Sequence, residues 1–265
     1  MLASALIVFR EVLEAALVIA VILGATRSVP GCRVWIGGGV AVGVLGAVVV
    51  AALMGRITES LSGAGQPLFE AGVLLSAVVM LGWHNVWMAR HGKRMADDLK
   101  RLGKDVGVGR KSLTALFAVS AIAVLREGSE IVLFLYGVAA SGAGAFSIGV
   151  GGLLGIAAGA AAGFALYLGL MKIPVRHFFR VTGWMLLFLA AGMASQSAAF
   201  LNQADLLPAI HDRVWDTSWF LSASSLPGTV LKTLVGYTPA PSGLQLIFYA
   251  ATLMIIGGLM IRARA

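Results

Sequence analysis

Two short stretches of the sequence combine one arginine with two glutamates at a spacing that suits cation binding. The motif R-E-x-x-E occurs at residues 10–14 and again at 126–130. On a helix, its first and last residues lie one turn apart and can form an ion pair, while the charged side chains share one face. Carboxylate oxygens prefer hard metal ions. The candidate metal ligands are Glu11, Glu14, Glu127 and Glu130, with Arg10 and Arg126 as supporting ion-pair partners.

The rest of the chain is strongly apolar. Of its 265 residues, 59% are hydrophobic and only 12% are charged, whereas soluble domains carry about 25% charged residues. The apolar residues form blocks of about 20, the length needed to cross a bilayer. These features predict an all-α polytopic membrane protein. The one cysteine, Cys32, excludes an internal disulfide framework and a cysteine-based zinc site.

Seven apolar segments are predicted to cross the membrane as helices, because backbone polar groups in lipid must be satisfied within the segment. They cover approximately residues 2–24, 34–54, 67–89, 113–140, 146–171, 181–201 and 244–261. Both motifs therefore lie near the middle of a span, the first and the fourth. Ionisable groups at that depth are costly, by about 2.5–3.5 kcal/mol each, and need partners or an aqueous cavity.

The order of the segments predicts an inverted repeat of three plus three helices, followed by one extra C-terminal helix. In each half, a motif helix is followed by a Gly/Ala-rich helix and a third helix, an arrangement that places a substrate site at the midplane. We expect one transmembrane domain over residues 1–265. Its parts are a first repeat (1–90), a cytoplasmic loop (91–112), a second repeat (113–204), an outer loop (205–242) and a last helix (243–262).

The basic residues indicate how the chain is oriented. Fifteen of the 20 lysines and arginines fall in the loops of one side, whereas the other side has Arg56, Arg213 and Lys232. By the positive-inside rule, the N-terminus is outside and the C-terminus is cytoplasmic. The net charge of +8 is thus a signal for topology and for contact with membrane lipid. A nucleic-acid partner is not expected.

The net charge of the predicted site leaves the oxidation state of its metal open. Four ionised glutamates and two arginines carry two negative charges in excess, which a divalent ion balances and a trivalent ion exceeds by one. The alternative interpretation is that the charges are only salt bridges between helices. Two copies with surplus carboxylate, at equivalent depth in antiparallel helices, favour a transport site.

With these motifs the sequence resembles the oxidase-dependent iron permeases, which include the fungal iron transporters and the bacterial EfeU type. The resemblance extends to Gly236-Tyr237-Thr238-Pro239 and Pro241-Ser242 before the last span. It implies a permease of the bacterial inner membrane that imports ferric iron, with the motif glutamates as ligands and no permanently bound cofactor. It also implies separate periplasmic partners that oxidise or capture iron. No enzymatic activity is expected, and the oligomeric state stays open.

Other polar residues are weaker candidates. Glu70, Asp205, His211 and Asp212 could lie on the route by which the cation reaches the site. For Glu70 we favour the interpretation of an acid at a helix N-terminus. His84, between Trp83 and Trp87 near the inner end of the third span, is interpreted as a packed or interfacial histidine rather than an exit-path ligand.

Three other functions compete with iron import. A permease for divalent metals or lead could use the same scaffold. A membrane redox subunit or intramembrane hydrolase is less favoured, because the spans contain neither a histidine pair for haem nor an H-E-x-x-H motif. An assembly protein without transport would require that the six motif charges pair completely.

Overall fold

The computed structural model describes residues 1–60, 66–168, 175–208, 210–211, 213–222 and 225–263. Within these ranges it contains eight helices and no strand. The helices are α1 (Leu2–Ala25), α2 (Cys32–Ser60), α3 (Gln66–Gly107), α4 (Leu113–Ala140), α5 (Ala145–Tyr167), α6 (Val175–Gln203), α7 (Leu226–Val235) and α8 (Gly243–Arg262).

Five of these helices contain segments that are long and apolar enough to span a bilayer: Cys32–Thr58, Gln66–Met88, Ala145–Tyr167, Arg180–Gln203 and Gly243–Arg262. The motif helices α1 and α4 are also of spanning length, 24 and 28 residues, but each carries three charged side chains near its middle. The prediction of an all-helical, multi-pass membrane protein is confirmed at this level.

Glycines allow α5 to pack directly on the first motif helix. A Cβ added at Gly155 would lie 2.7 Å from the carbonyl oxygen of Ala5, and one at Gly151 would lie 2.3 Å from that of Met1. Contacts this short leave no room for a side chain. Small residues at a helix interface let two backbones approach closely in a membrane, where no hydrophobic driving force brings helices together.

The second motif helix packs on α2 in the same way. A Cβ at Gly43 would lie 2.7 Å from the carbonyl oxygen of Ala121, and one at Gly39 would lie 2.4 Å from that of Phe117. The α2–α4 interface has the same register as the α1–α5 interface. Gly39 meets Ser120 and Gly151 meets Ser4, and each serine precedes its motif arginine by six residues.

Two apolar clusters lie at the two ends of the helices. In the first, Ile7 from the start of α1 packs with Phe134 and Val138 from the end of α4, together with residues of α3, α6 and α8. In the second, Ile22 from the end of α1 packs with Leu116 from the start of α4. The helices α1 and α4 are therefore antiparallel, as predicted, and both motifs lie between the clusters.

The structure differs from the predicted loops in two places. Helix α3 continues to Gly107, so most of the predicted cytoplasmic loop over 91–112 is helical. The reason is tertiary packing, because Leu99 and Val106 are buried in the second apolar cluster. The predicted outer loop over 205–242 contains α7, which ends in a left-handed Gly236.

Candidate metal-binding site

The charged residues of each motif lie on one face of their helix and pair as the spacing predicts. Nε of Arg10 lies 2.9 Å from Oε1 of Glu14, and Nε of Arg126 donates a hydrogen bond of 3.1 Å to Oε1 of Glu130. All four motif glutamates are buried. The antiparallel packing of α1 and α4 brings the two pairs of carboxylates to the same depth.

A histidine from a third helix lies between the motifs. Nε2 of His84 is 2.9 Å from Oε2 of Glu14 on α1, and Nδ1 is 2.7 Å from Oε2 of Glu130 on α4. The side chain is only 1% exposed. Its two ring nitrogens thus connect the two motif helices through α3.

Part of the carboxylate set has no hydrogen-bond partner. Glu11 is fully buried, and among the described residues neither of its carboxylate oxygens accepts a hydrogen bond. Its nearest charged neighbour is NH1 of Arg10 at 3.6 Å. Oε2 of Glu127 is buried and also lacks a partner. Buried polar groups are nearly always paired, and because these carboxylate oxygens accept no hydrogen bond they are available to bind a cation.

Four of these residues are close enough to share one metal ion. Glu11, His84, Glu127 and Glu130 each offer a ligand atom, and these atoms all lie within 4.8 Å of one another. Bonds of about 2.0–2.2 Å require opposite ligands to be at most about 4.4 Å apart. A small inward movement of the side chains would therefore complete the site. Glu14 is outside this set, and its carboxylate contacts Arg10 and His84.

The two motifs are alike in sequence but differ in environment. The side chain of Arg10 is 3% exposed, whereas that of Arg126 is 36% exposed. The guanidinium carbon of Arg126 lies 4.7 Å from the ring centre of Trp87, a cation–π contact. One of its NH2 groups also lies 3.3 Å from Nδ1 of His84. The second motif is therefore the more accessible half of the site.

His84 is packed, as one of the two predicted interpretations has it, and its ring lies between the motif carboxylates. The sequence places it near the end of an apolar segment, because the charged residues that follow suggest a loop. In fact α3 continues for another five turns or more beyond it, and the ring lies among the carboxylates. The signal available in the sequence was the one histidine within an apolar stretch of otherwise uncharged residues, followed by Asn85.

The residues predicted to lie on the access route are not among the four potential metal ligands. Glu70 follows the first turn of α3 and accepts a hydrogen bond from the side chain of Gln66, so the interpretation of an acid at the helix N-terminus is not supported. Asp205 and His211 are exposed and adopt positive φ angles of 54° and 45°. Asp212 lies outside the described residues. A role of these residues on the access route stays a prediction.

A further acid between α6 and α7, Asp216, has its hydrogen-bond partners nearby in the chain. Asp216 accepts hydrogen bonds from the hydroxyl and backbone N–H of Ser218 and pairs with Arg213 at 2.8 Å. The Ser218 hydrogen bonds, aided by Arg213, hold the pKa of the Asp216 carboxyl below its usual range. This carboxylate already has its partners within the loop.

Comparison with known proteins identifies the family. The sequence pattern of the iron permease FTR1 family matches residues 1–263. The chain is 32% identical over 249 residues to the ferrous iron permease EfeU of Yersinia pestis, which covers 92% of this chain and 87% of the relative.

Relatives from other bacteria show the same similarity. The ferrous iron permeases EfeU of Escherichia coli O6:K15:H31 and of Shigella sonnei are each 33% identical over 242 residues, covering 89% of this chain and 87% of theirs. No solved structure matches the chain. The match over nearly the whole length shows that this protein belongs to the iron permease FTR1 family.

Proposed function

We propose that this protein imports iron through the site between α1, α3 and α4, with Glu11, Glu127 and Glu130 as its carboxylate ligands and with Glu14, which contacts Arg10 and His84, beside them. The observation that carries the proposal is the fully buried Glu11 carboxylate, which has no hydrogen-bond partner among the described residues. Its contacts with Arg10 at 3.6 Å and His84 at 4.0 Å are not hydrogen bonds, so both oxygens can accept a cation, whereas a purely structural network is expected to satisfy its buried carboxylates by hydrogen bonds. The permease family to which the chain belongs supports iron as the cargo.

The proposal includes seven membrane crossings and an inverted repeat, in which α1–α3 correspond to α4–α6 and α8 is the extra helix. The matched register of the two glycine interfaces supports this symmetry. Such repeats expose a fixed midplane site to each side in turn. Arg10 and Arg126 would hold the carboxylates in place while the ion is absent.

The orientation and partners follow the same proposal. The N-terminus is outside and the C-terminus is cytoplasmic in the bacterial inner membrane, as the distribution of basic residues favours. Iron reaches the outer side by way of Glu70, Asp205, His211 and Asp212. Separate periplasmic proteins supply it by oxidation or capture.

The oxidation state of the cargo is a distinct part of the proposal. Ferric iron is the form implied by the resemblance to oxidase-dependent permeases, and hard carboxylate ligands suit it. Ferrous iron is a second candidate, which one specific observation favours: a histidine nitrogen lies within the group of potential ligands. Two excess negative charges also match a divalent ion. The relatives from Yersinia pestis and Escherichia coli are named as ferrous iron permeases.

Uptake of radioactive iron into proteoliposomes tests the proposal. We expect time-dependent uptake by the wild-type protein and uptake at the level of empty vesicles for Glu14→Gln and Glu130→Gln. The matched control is Asp98→Asn, which neutralises an exposed acid on the cytoplasmic part of α3 and should leave uptake unchanged. Wild-type rates in the Glu14→Gln, Glu130→Gln double variant would contradict the proposal.

The same vesicles separate the candidate cargoes. Uptake is measured with iron kept reduced by ascorbate, with ferric citrate, and with lead as competitor. Ferric import predicts uptake without a reductant that a ferrous chelator does not inhibit. Ferrous import predicts uptake that requires the reductant and is abolished by the chelator. Uptake of lead by vesicles that take up neither form of iron would replace iron as the cargo.

A further inference from the structure

We propose that His84 is itself a metal ligand of this site and that its imidazole makes the site prefer first-row transition-metal ions to Ca²⁺ and Mg²⁺. The inference rests on the proposed function and names the residue that determines which cations the site accepts. It adds a nitrogen ligand from α3 to the carboxylates of α1 and α4.

The position of the ring carries the proposal. His84 is the one histidine within the described group of potential ligands, and one of its nitrogens lies within 4.8 Å of ligand oxygens from Glu11, Glu127 and Glu130. Both ring nitrogens contact a carboxylate oxygen, at 2.9 Å on one side and 2.7 Å on the other. A cation that binds one ring nitrogen in place of its carboxylate would leave the carboxylate contact of the other nitrogen intact.

The carboxylate contact at the second ring nitrogen has a known function in metal sites. A histidine ligand usually donates its second ring N–H to a carboxylate, which fixes the tautomer and the orientation of the ring. Here Glu14 and Glu130 offer that partner on opposite sides of the imidazole. The ring is also buried and held on a long helix, so it is positioned before the metal arrives.

The nitrogen changes which ions the site selects. A site with only carboxylate ligands suits Ca²⁺, Mg²⁺ and Mn²⁺, whereas imidazole suits iron, zinc, copper and nickel. An importer that faces the outer medium must reject calcium and magnesium. Three carboxylates and one imidazole provide affinity through charge and selectivity through nitrogen.

The competing explanation is that His84 only joins the motif helices through its contacts with Glu14 and Glu130. A structural role predicts that its removal lowers stability without any change in the atoms that bind the metal. A direct measurement of nitrogen bound to the metal therefore separates the two roles.

The test uses purified full-length protein loaded anaerobically with Fe²⁺ and treated with nitric oxide, which makes the bound iron visible to electron paramagnetic resonance. Electron spin-echo envelope modulation should show coupling to a histidine nitrogen in the wild type. Protein grown with ¹⁵N-histidine should shift that signal. His84→Gln should abolish it, whereas His177→Gln, which removes a histidine in the first turn of α6, should retain it.

Binding competition gives the second readout. We expect His84→Gln to lower the preference for Fe²⁺ over Ca²⁺ by about 10–100-fold, at least the loss seen when an orienting partner of a metal ligand is removed. His84→Asn provides a second neutral variant that lacks the imidazole, should the glutamine variant fold poorly by size-exclusion chromatography.

The outcomes distinguish this inference from the proposed function. Bound iron with only oxygen ligands in the wild type, or a nitrogen signal that persists in His84→Gln and His84→Asn, would overturn the role of His84 and leave iron import intact. Wild-type protein that binds no iron would overturn both.

Discussion

Nε2 of His84 lies 2.9 Å from Oε2 of Glu14, although the two residues are 70 positions apart in the chain. Because Nδ1 of the same ring contacts Glu130, one side chain of α3 connects both motif helices. The site is therefore built by three helices rather than two. Any movement that separates α1 from α4 during transport must break at least one of these contacts.

Glu11 and Glu14 should differ in their contribution to stability. Glu11 lies 3.6 Å from Arg10 and accepts no hydrogen bond from the described residues, so Glu11→Gln should change the stability of the metal-free protein only slightly. Glu14 lies 2.9 Å from both Arg10 and His84, so Glu14→Gln should destabilise it clearly. Thermal unfolding in detergent measures both, and iron binding should fall in each. An unfolding midpoint for Glu11→Gln as low as that for Glu14→Gln would contradict this difference.

The two motif arginines should differ in their contribution to stability. Arg10 is buried beside two carboxylates, and removal of one partner from a buried ion pair costs about 3–5 kcal/mol. Arg126 is 36% exposed, so solvent compensates part of its loss. We expect Arg10→Gln to lower the unfolding midpoint clearly more than Arg126→Gln. Equal midpoints for the two variants would contradict the difference in burial.

The glycine interfaces should not tolerate a methyl group. In Gly155→Ala the new Cβ would lie 2.7 Å from the Ala5 carbonyl oxygen, and such overpacking costs about 1–3 kcal/mol. The matched control is Gly149→Ala on the same helix, where no heavy atom lies within 4 Å. The control should be neutral or slightly stabilising, because alanine has the higher helix propensity. Comparable unfolding midpoints for both variants would argue against close packing of α1 on α5.

The single cysteine is a probe for the packing of the C-terminal part of α3. Cys32 is buried in the second apolar cluster, where Leu99 packs. It should react slowly with a maleimide in the wild type and faster in Leu99→Ala, since that change removes buried side-chain volume, at a cost of about 2–5 kcal/mol. The control Val108→Ala alters a residue that is 69% exposed and should not change the rate. Rapid labelling of the wild type would mean that this cluster opens readily.

The sequence alone predicts much of this fold, because the length and composition of apolar segments follow directly from the bilayer. The helix over residues 243–262 and the one-turn pairing of Arg10 with Glu14 are confirmed. These features depend on local spacing. The sequence analysis does not predict helix α7, because its ten residues are too short to form a membrane-spanning apolar segment.

The contacts of His84 with both motif helices could not be predicted from residue spacing. Its position depends on how far α3 continues, and the continuation is stabilised by contacts of Leu99 and Val106 with residues distant in the sequence. Charged residues from Arg90 onward suggested a loop instead. With the helix end placed too early, the sequence predicts a packed or interfacial His84 and does not predict its contacts with Glu14 and Glu130.

Diffraction at the iron absorption edge, from crystals soaked with iron, tests the central claim most directly. We predict an iron-specific peak between α1, α3 and α4, about 2.0–2.2 Å from ligand atoms of Glu11, His84, Glu127 and Glu130, and its loss in Glu130→Gln. An iron peak elsewhere in the protein, with these four side chains unchanged, would contradict the account.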